Sequence, residues 1–326
     1  MPIDVLCLAF VPDSQRAGLA AAGYVLHDHP DPELRDTPPA NAGAIRAVIT
    51  RGGTAGVSRA MIEGLPNLEI ICTMAAGYDK IDLVAAREHG IVVTHGPGTN
   101  ATAVADHAIG LLFGIARNIV YGDAAARRGD WKTSRGARPL VVGKTLGIFG
   151  LGRIGVLIAR RLSGLDLDIL YHNRTRRPDL PYTYVDSVKE LAARSDFLVI
   201  AAPGGPGTLH AVDAEVLDAL GPKGYLINIA RGSIVATDAL ASALLEKRIG
   251  GAAIDVFEGE PDLPEILRNI TENLIVTPHM AGAAVEARQA IEELMLRNLN
   301  LHFAGQPVAT PVPLHDDPDS DVVAAE

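Results

Sequence analysis

Residues 145 to 162 constrain the fold more than any other stretch of the chain. An apolar run, Thr145–Phe149, meets Gly150-Leu151-Gly152-Arg153-Ile154-Gly155, and an apolar helical run follows to Leu162. Strand, glycine turn and helix in that order form a βα unit whose next strand returns parallel to the first. The three glycines have separate jobs. Gly150 permits a tight turn, Gly152 lets backbone approach a pyrophosphate, and Gly155 lets the helix pack close to the strand. Backbone amides and the helix dipole then face the phosphates. The G-x-G-x-x-G pattern alone also serves ordinary tight turns; set between strand and helix, it points to a bound dinucleotide.

The same alternation runs through the chain. Short apolar, β-branched runs occur at Val5–Phe10, Ala47–Thr50, Leu68–Met74 and Ile91–Thr94, and again at Thr145–Phe149, Leu167–His172, Phe197–Ala202, Tyr225–Ala230, Ala252–Phe257 and Leu274–Thr277. Strands buried on both faces read as continuous runs, and their alternation with helical stretches implies parallel sheets with crossover helices. The two sets flank one helix-like segment from Ala101 to about Ile119. The fold class is therefore α/β: two doubly wound parallel-sheet domains, a Rossmann-type nucleotide domain inserted into a flavodoxin-like substrate domain. The substrate domain is expected at 1–96 and 283–326, and the nucleotide domain at 97–282 with a dimerisation arm at about 101–140. The last strong helix, Ala283–Phe303, ends at Gly305 and Pro307 and should cross back to the first domain. Pro38–Pro39 and Gly52–Gly53 read as loops, and the acidic tail from Pro311 as mobile or loosely docked.

Composition narrows the class. Hydrophobic residues make up 48% and aromatics only 4%, so the cores must be built from Ala, Val, Leu and Ile. A formal net charge of −10 argues against nonspecific binding to nucleic acid, which needs Lys and Arg to neutralise phosphates. Cys7 and Cys72 lie in apolar runs and read as buried thiols in a reducing compartment, not as a disulfide or metal site. Pro2 and Asp4 stand where a secretory leader would carry basic residues, and no apolar run is long enough to span a membrane. A cytoplasmic protein without metal is expected.

Cofactor choice is read at the end of the strand after the glycine turn. NAD-binding versions place Asp or Glu there, about 20 residues on, to hold the ribose 2′-hydroxyl. Here the residue is Asn173, followed by Arg174-Thr175-Arg176-Arg177. Asn173 does not repel a 2′-phosphate, and arginines pair with one through charge-assisted hydrogen bonds. The alternative is a solvated basic loop. NADP(H) is favoured, with NAD(H) as the alternative.

Three more strands deliver polar groups to the same sheet edge, where ligands of open α/β sheets bind. Tyr225–Ala230 leads to Arg231-Gly232, Ala252–Phe257 holds Asp255 and leads to Glu258-Gly259-Glu260-Pro261, and Leu274–Thr277 leads to Pro278-His279. Singly, Arg231 reads as a helix cap, Glu260 as a surface residue and His279 as a satisfied core histidine. Gathered beside a dinucleotide turn, they point to catalysis.

These segments, with Met74-Ala75-Ala76-Gly77-Tyr78-Asp79-Lys80-Ile81-Asp82, Asn100 with Val104-Ala105-Asp106, and Gly143-Lys144-Thr145-Leu146-Gly147-Ile148, make the chain resemble the D-isomer-specific 2-hydroxyacid dehydrogenase family. The match runs in order over nearly the whole chain. The Asn-Arg pair is similar to that of NADPH-dependent glyoxylate, hydroxypyruvate and hydroxyphenylpyruvate reductases. The resemblance implies an NAD(P)-dependent enzyme that reduces a small 2-oxo acid to the D-2-hydroxy acid in a cleft between its domains. Arg231 would bind the substrate carboxylate and polarise the carbonyl. His279 would protonate the carbonyl oxygen, and Glu260 would orient His279 and favour its protonated form near neutral pH.

It also implies substrate contacts from the Ala76–Gly77 backbone and a place for Asp255 near the nicotinamide carboxamide. Pro203 and Thr208 would line the cofactor cleft in a loop richer in glycine than the family's. Further cofactor contacts are expected at Val104, at Arg153 and Ile154 of the turn, and at Ile229, Ala230 and Gly282. Arg51 either faces the substrate or is solvated. Trp131 either reaches a partner subunit's active site or packs within a dimer arm; a homodimer is expected. The competing readings are a reductase of aryl or longer 2-oxo acids, a nicotinamide-sensing corepressor-like binding protein, and an enzyme acting on formate or phosphite. Glu260 argues against formate.

Overall fold

The computed structural model describes residues 2–29, 31, 34, 36–51, 55–132 and 135–312. Gly52, Gly53 and the tail beyond Val312 lie outside them. The chain forms two compact units, Met1–Asn100 with Ala284–Glu326, and Ala101–Ala283.

The first unit holds a five-stranded parallel sheet of β1 (Ile3–Cys7), β2 (Tyr24–Asp28), β3 (Ile45–Thr50), β4 (Ile70–Thr73) and β5 (Val92–Thr94), in the order β2-β1-β3-β4-β5. That is the flavodoxin-like order. Successive residues of one strand serve opposite cores. Leu6 and Leu8 pack with Val48, Ile71 and Val93, whereas Val5 and Cys7 pack with Ala47, Ile49 and Ile70. This double burial makes the strands continuous apolar runs. The helix Val285–Phe303 covers the second face through Ile291, Met295 and Leu299, and Gly305, at φ +69°, ends it as a left-handed cap. Cys7 and Cys72 are free and buried, and burial pushes both thiols up to about 12, far from the reactive thiolate range.

The second unit holds a seven-stranded parallel sheet: β6 (Thr145–Phe149), β7 (Asp168–His172), β8 (Thr183–Tyr184), β9 (Phe197–Ile200), β10 (Tyr225–Asn228), β11 (Gly251–Ile254) and β12 (Leu274–Val276). The order β12-β11-β10-β9-β6-β7-β8 reverses direction at β6 and β9, the switch point of a Rossmann sheet. One face is packed by Leu198, Ile200, Leu226 and Ala252 with their covering helices, the other by Ile148, Val199, Ile227 and Ala253 against the helices Ala101–Ala116 and Arg153–Leu162.

Two elements escape the sequence pattern. β2 is an edge strand carrying His27 and Asp28, and β8 is a two-residue edge strand, so neither reads as a buried apolar run. The segment expected as one helix to Ile119 is two, Ala101–Ala116 and Ile119–Arg127, bent by 60°. The break falls at Asn118, whose φ of +55° is a left-handed conformation that asparagine adopts more readily than most residues.

Candidate active site

The glycine turn is built as its spacing demands. Gly150 sits at φ +101°, and a Cβ there would lie 2.3 Å from the Ala202 backbone nitrogen; one at Gly155 would lie 2.3 Å from the Gly150 carbonyl oxygen. Gly152 differs: its φ is an ordinary −88°, and a Cβ would meet nothing within 4 Å. Gly152 caps the helix Arg153–Leu162, whose first N–H groups have no intrahelical acceptor. Open space beside unpaired amides at a helix N-terminus fits a pyrophosphate.

Asn173, at the end of β7, accepts a 2.5 Å hydrogen bond from the Leu151 N–H through Oδ1. Its amide therefore turns its carbonyl to the glycine turn and keeps N–H donors for the space beyond. An aspartate so held would present a second carboxylate oxygen, suited to ribose hydroxyls and repelling a phosphate. Arg174 and Thr175 follow directly in the loop, and the Arg176 guanidinium lies 5.7 Å from the Tyr184 ring centre. Arg177, expected among the cofactor contacts, instead forms a two-pronged ion pair with Asp179 at 2.9 and 2.7 Å. A phosphate there would have to compete with a carboxylate two residues away.

At the far half of the sheet the loops are locked together. Asn228 is buried; its Nδ2 donates to the Arg231 carbonyl at 3.0 Å and its Oδ1 accepts from the Ala230 N–H at 3.1 Å, which sets the course of the chain into Arg231. A Cβ on Gly232 would come within 2.1 Å of the Phe257 carbonyl carbon, so glycine alone allows the Arg231 segment to lie against the Phe257–Glu258 backbone. Glu258 reinforces this seam by binding His210 Nε2 at 2.8 Å and the Thr237 hydroxyl at 2.6 Å. Burial works to raise its pKa, but these bonds outweigh it and hold the carboxyl below its ordinary value.

Glu260 Oε1 accepts the Phe257 N–H at 3.1 Å, and Oε2 lies 2.7 Å from His279 Nδ1. A carboxylate accepts only, so Nδ1 carries the hydrogen and Nε2 is left for the substrate. About one third of the His279 side chain is exposed (33%), and its φ is +49°, a strained conformation for a residue with a Cβ.

Several expected contacts turn inward. Asp255 is 1% exposed, and its carboxylate accepts the Thr277 hydroxyl at 2.5 Å, the Met280 N–H at 2.9 Å and the Ala281 N–H at 2.8 Å. In the structure it serves the turn that carries His279. Val104, Ile229 and Ala230 are largely buried in the sheet's cores. Thr208 donates to the Pro203 carbonyl at 2.8 Å inside their own loop, Ile154 packs at the core margin, and Gly282 lies in the turn after Ala281. Missing from the sequence reading were His107 and Thr277. His107 falls between Val104 and Leu111 on the buried stripe of its helix, and a polar residue on such a stripe was the available signal.

In the first unit, the loop after β4 is pinned by His95, whose Nδ1 bonds the Ala76 carbonyl at 3.0 Å, while the Gly96 N–H donates to Ala75 at 2.9 Å. Ala76 and Gly77 are thereby fixed at the sheet's carboxyl edge. Arg51 follows β3 at the same edge; desolvation first, and the Arg288 charge second, lower the pKa of its guanidinium.

A glycine turn opening a helix and a carboxylate–histidine pair at one edge of a Rossmann sheet, with an arginine just past β10 between them, fit a nicotinamide-dependent dehydrogenase of carbonyl and alcohol groups. Residues 109–281 match the family model for the D-isomer specific 2-hydroxyacid dehydrogenase NAD binding domain. A hydroxyphenylpyruvate reductase of Plectranthus scutellarioides is 45% identical over 284 residues, 86% of this chain and 90% of the relative. A glyoxylate/hydroxypyruvate reductase A of Arabidopsis thaliana is 45% identical over 272 residues, covering 82% and 86%. The crystal structure of an NADPH-dependent glyoxylate/hydroxypyruvate reductase from Sinorhizobium meliloti, in complex with NADP and malonate, superposes with a TM-score of 0.87 at 36% identity, covering 96% of this chain and 98% of that one. The chain belongs to the D-isomer-specific 2-hydroxyacid dehydrogenase family.

Proposed function

We propose that the enzyme reduces a small 2-oxo acid, glyoxylate or hydroxypyruvate foremost, to the D-2-hydroxy acid with NADPH. The 2.7 Å Glu260–His279 pair carries this reading, because it engages Nδ1 and leaves Nε2 for the substrate at the sheet edge where Arg231 and the glycine turn also lie. The reduced nicotinamide supplies a hydride to the carbonyl carbon. The protein's own residues do the rest. Arg231 fixes the substrate carboxylate with a permanently charged fork, and His279 gives its Nε2 proton to the carbonyl oxygen as the alkoxide forms. The preference for NADPH rests on the donor face of Asn173 and on Arg174 and Arg176.

Reductases of glyoxylate/hydroxypyruvate and of hydroxyphenylpyruvate stand at the same 45% identity, which keeps an aryl 2-oxo acid as the second reading. Steady-state assays of glyoxylate, hydroxypyruvate and hydroxyphenylpyruvate with both cofactors test these assignments. Glyoxylate or hydroxypyruvate should give the highest kcat/KM, and NADPH should exceed NADH by about tenfold or more, since one charge-assisted contact is worth about 1.5–3 kcal/mol. A ratio below one reverses the cofactor assignment. Cofactor binding without turnover of any 2-oxo acid favours a sensing role instead.

A cytoplasmic homodimer completes the proposal. Ile119, Val120, Trp131, Leu140 and Val142 are exposed apolar side chains on the segment from 101 to 142, and Trp131 is 66% exposed with the Arg135 guanidinium 5.8 Å from its ring centre. Apolar surface of this kind suits a second copy of the chain. Light scattering should give twice the monomer mass; a monomer also removes Trp131 from any partner's active site.

A further inference from the structure

The His107 imidazole lies against the turn that carries His279, and the reduction as described leaves it without a role. It projects from the helix Ala101–Ala116, with Nε2 3.0 Å from Thr277 Oγ1 and 3.4 Å from Asp255 Oδ1. Thr277 Oγ1 is itself 2.5 Å from Asp255 Oδ1. A carboxylate only accepts, so the Thr277 hydroxyl hydrogen points to Asp255. Oγ1 then offers the imidazole only lone pairs, and His107 Nε2 must carry a hydrogen. The hydrogen bonds run one way, from His107 through Thr277 to Asp255.

Asp255 in turn grips the His279 turn from both sides. Its carboxylate takes the N–H groups of Met280 and Ala281, and its backbone carbonyl takes the His279 N–H at 2.8 Å. This grip holds His279 at φ +49°, a conformation that costs about 1–3 kcal/mol and persists only where its surroundings impose it. A carboxylate 1% exposed needs every donor within reach, and His107 polarises the hydroxyl that supplies one of them.

We propose that His107 is a positioning residue for the reduction: acting through Thr277 and Asp255, it fixes the turn that aims His279 Nε2 at the carbonyl oxygen. The inference rests on His279 as the proton donor. It differs from a packing role in what it predicts. A looser turn leaves substrate and cofactor binding in place but misaims the proton, and a misplacement of about 1 Å can lower turnover about a hundredfold.

The test compares His107→Leu, which removes the donor at similar volume, with His107→Gln, which keeps a side-chain N–H, and Thr277→Val, which removes the hydroxyl. His107→Leu and Thr277→Val should each lower kcat about tenfold to a hundredfold. The KM for the 2-oxo acid and the Kd for NADPH by fluorescence titration should stay near those of the unmodified enzyme, and the Tm should fall by a few degrees at most, with the protein fully folded at the assay temperature. His107→Gln should recover most of the loss. The His107→Leu/Thr277→Val double variant should be no slower than the worse single one, because both break one chain of contacts. Unchanged kcat in His107→Leu, losses that multiply in the double variant, or a fall in kcat that tracks the Tm would each overturn the proposal. If His107→Leu does not fold, Thr277→Val and His107→Gln carry the comparison alone. Retained turnover in His279→Ala would instead overturn the assignment of the proton donor; an inactive His279→Ala beside a fully active His107→Leu defeats only the role given to His107.

Discussion

Replacing His279 with alanine is expected to lower kcat by about 10²–10⁴-fold, the range that a positioned general acid contributes. NADPH should bind nearly as tightly as before. The two effects separate because the groups lie on different parts of the sheet. The turn proposed to hold the phosphates, Gly150–Gly155, follows β6, while His279 follows β12 at the edge of the sheet. Alanine at 279 keeps the backbone hydrogen bond from residue 279 to Asp255, so the turn should survive. What would disappear is the proposed proton donor, and water would have to replace it as hydride arrival leaves an alkoxide. Stopped-flow reduction of glyoxylate, paired with a fluorescence titration of NADPH, checks both halves. A variant that still turns over at the original rate removes His279 from proton transfer. Loss of cofactor binding along with turnover would mean that the whole sheet edge had been disturbed.

The sequence was most readable where one residue type has a single physical use. The glycine turn, the strand runs of the inner sheet and the Arg231, Glu260 and His279 set all fall where spacing put them, because buried strands and tight turns tolerate few alternatives. Edge strands escape the pattern, since β2 and β8 need no apolar second face. Side-chain direction was the larger gap. Asp255 stands at a ligand-binding edge in sequence, yet its carboxylate folds back onto the turn that bears His279. Arg177 counts as one of three arginines in the loop, but Asp179, two residues on, claims it. His107 lies 170 residues from Thr277, a pairing set only by the packing of a helix under the sheet. Spacing shows which residues reach the edge of a sheet; it does not show which way a side chain faces once there.

The glycine turn itself permits the sharpest separation of folding from binding. Gly150→Ala is expected to destabilise the nucleotide domain, because alanine at φ +101° is strained and its Cβ would stand 2.3 Å from the Ala202 backbone nitrogen. Strain and overpacking each cost about 1–3 kcal/mol. Together they should lower the Tm by roughly 5–20 °C for a unit of this size. Gly152→Ala is expected to do the reverse. Its φ of −88° accommodates any residue and its Cβ meets nothing within 4 Å, so the fold should be untouched. That space is where the pyrophosphate is proposed to lie. A methyl group there should raise the Kd for NADPH about tenfold to a hundredfold, or about 1.4–2.8 kcal/mol. Calorimetry and cofactor titration on the two variants therefore give opposite patterns. If Gly152→Ala bound NADPH normally, the open space at the helix N-terminus would not be the phosphate site. If Gly150→Ala melted normally, the Ala202 backbone would have to yield more easily than its place beside the sheet's switch point allows.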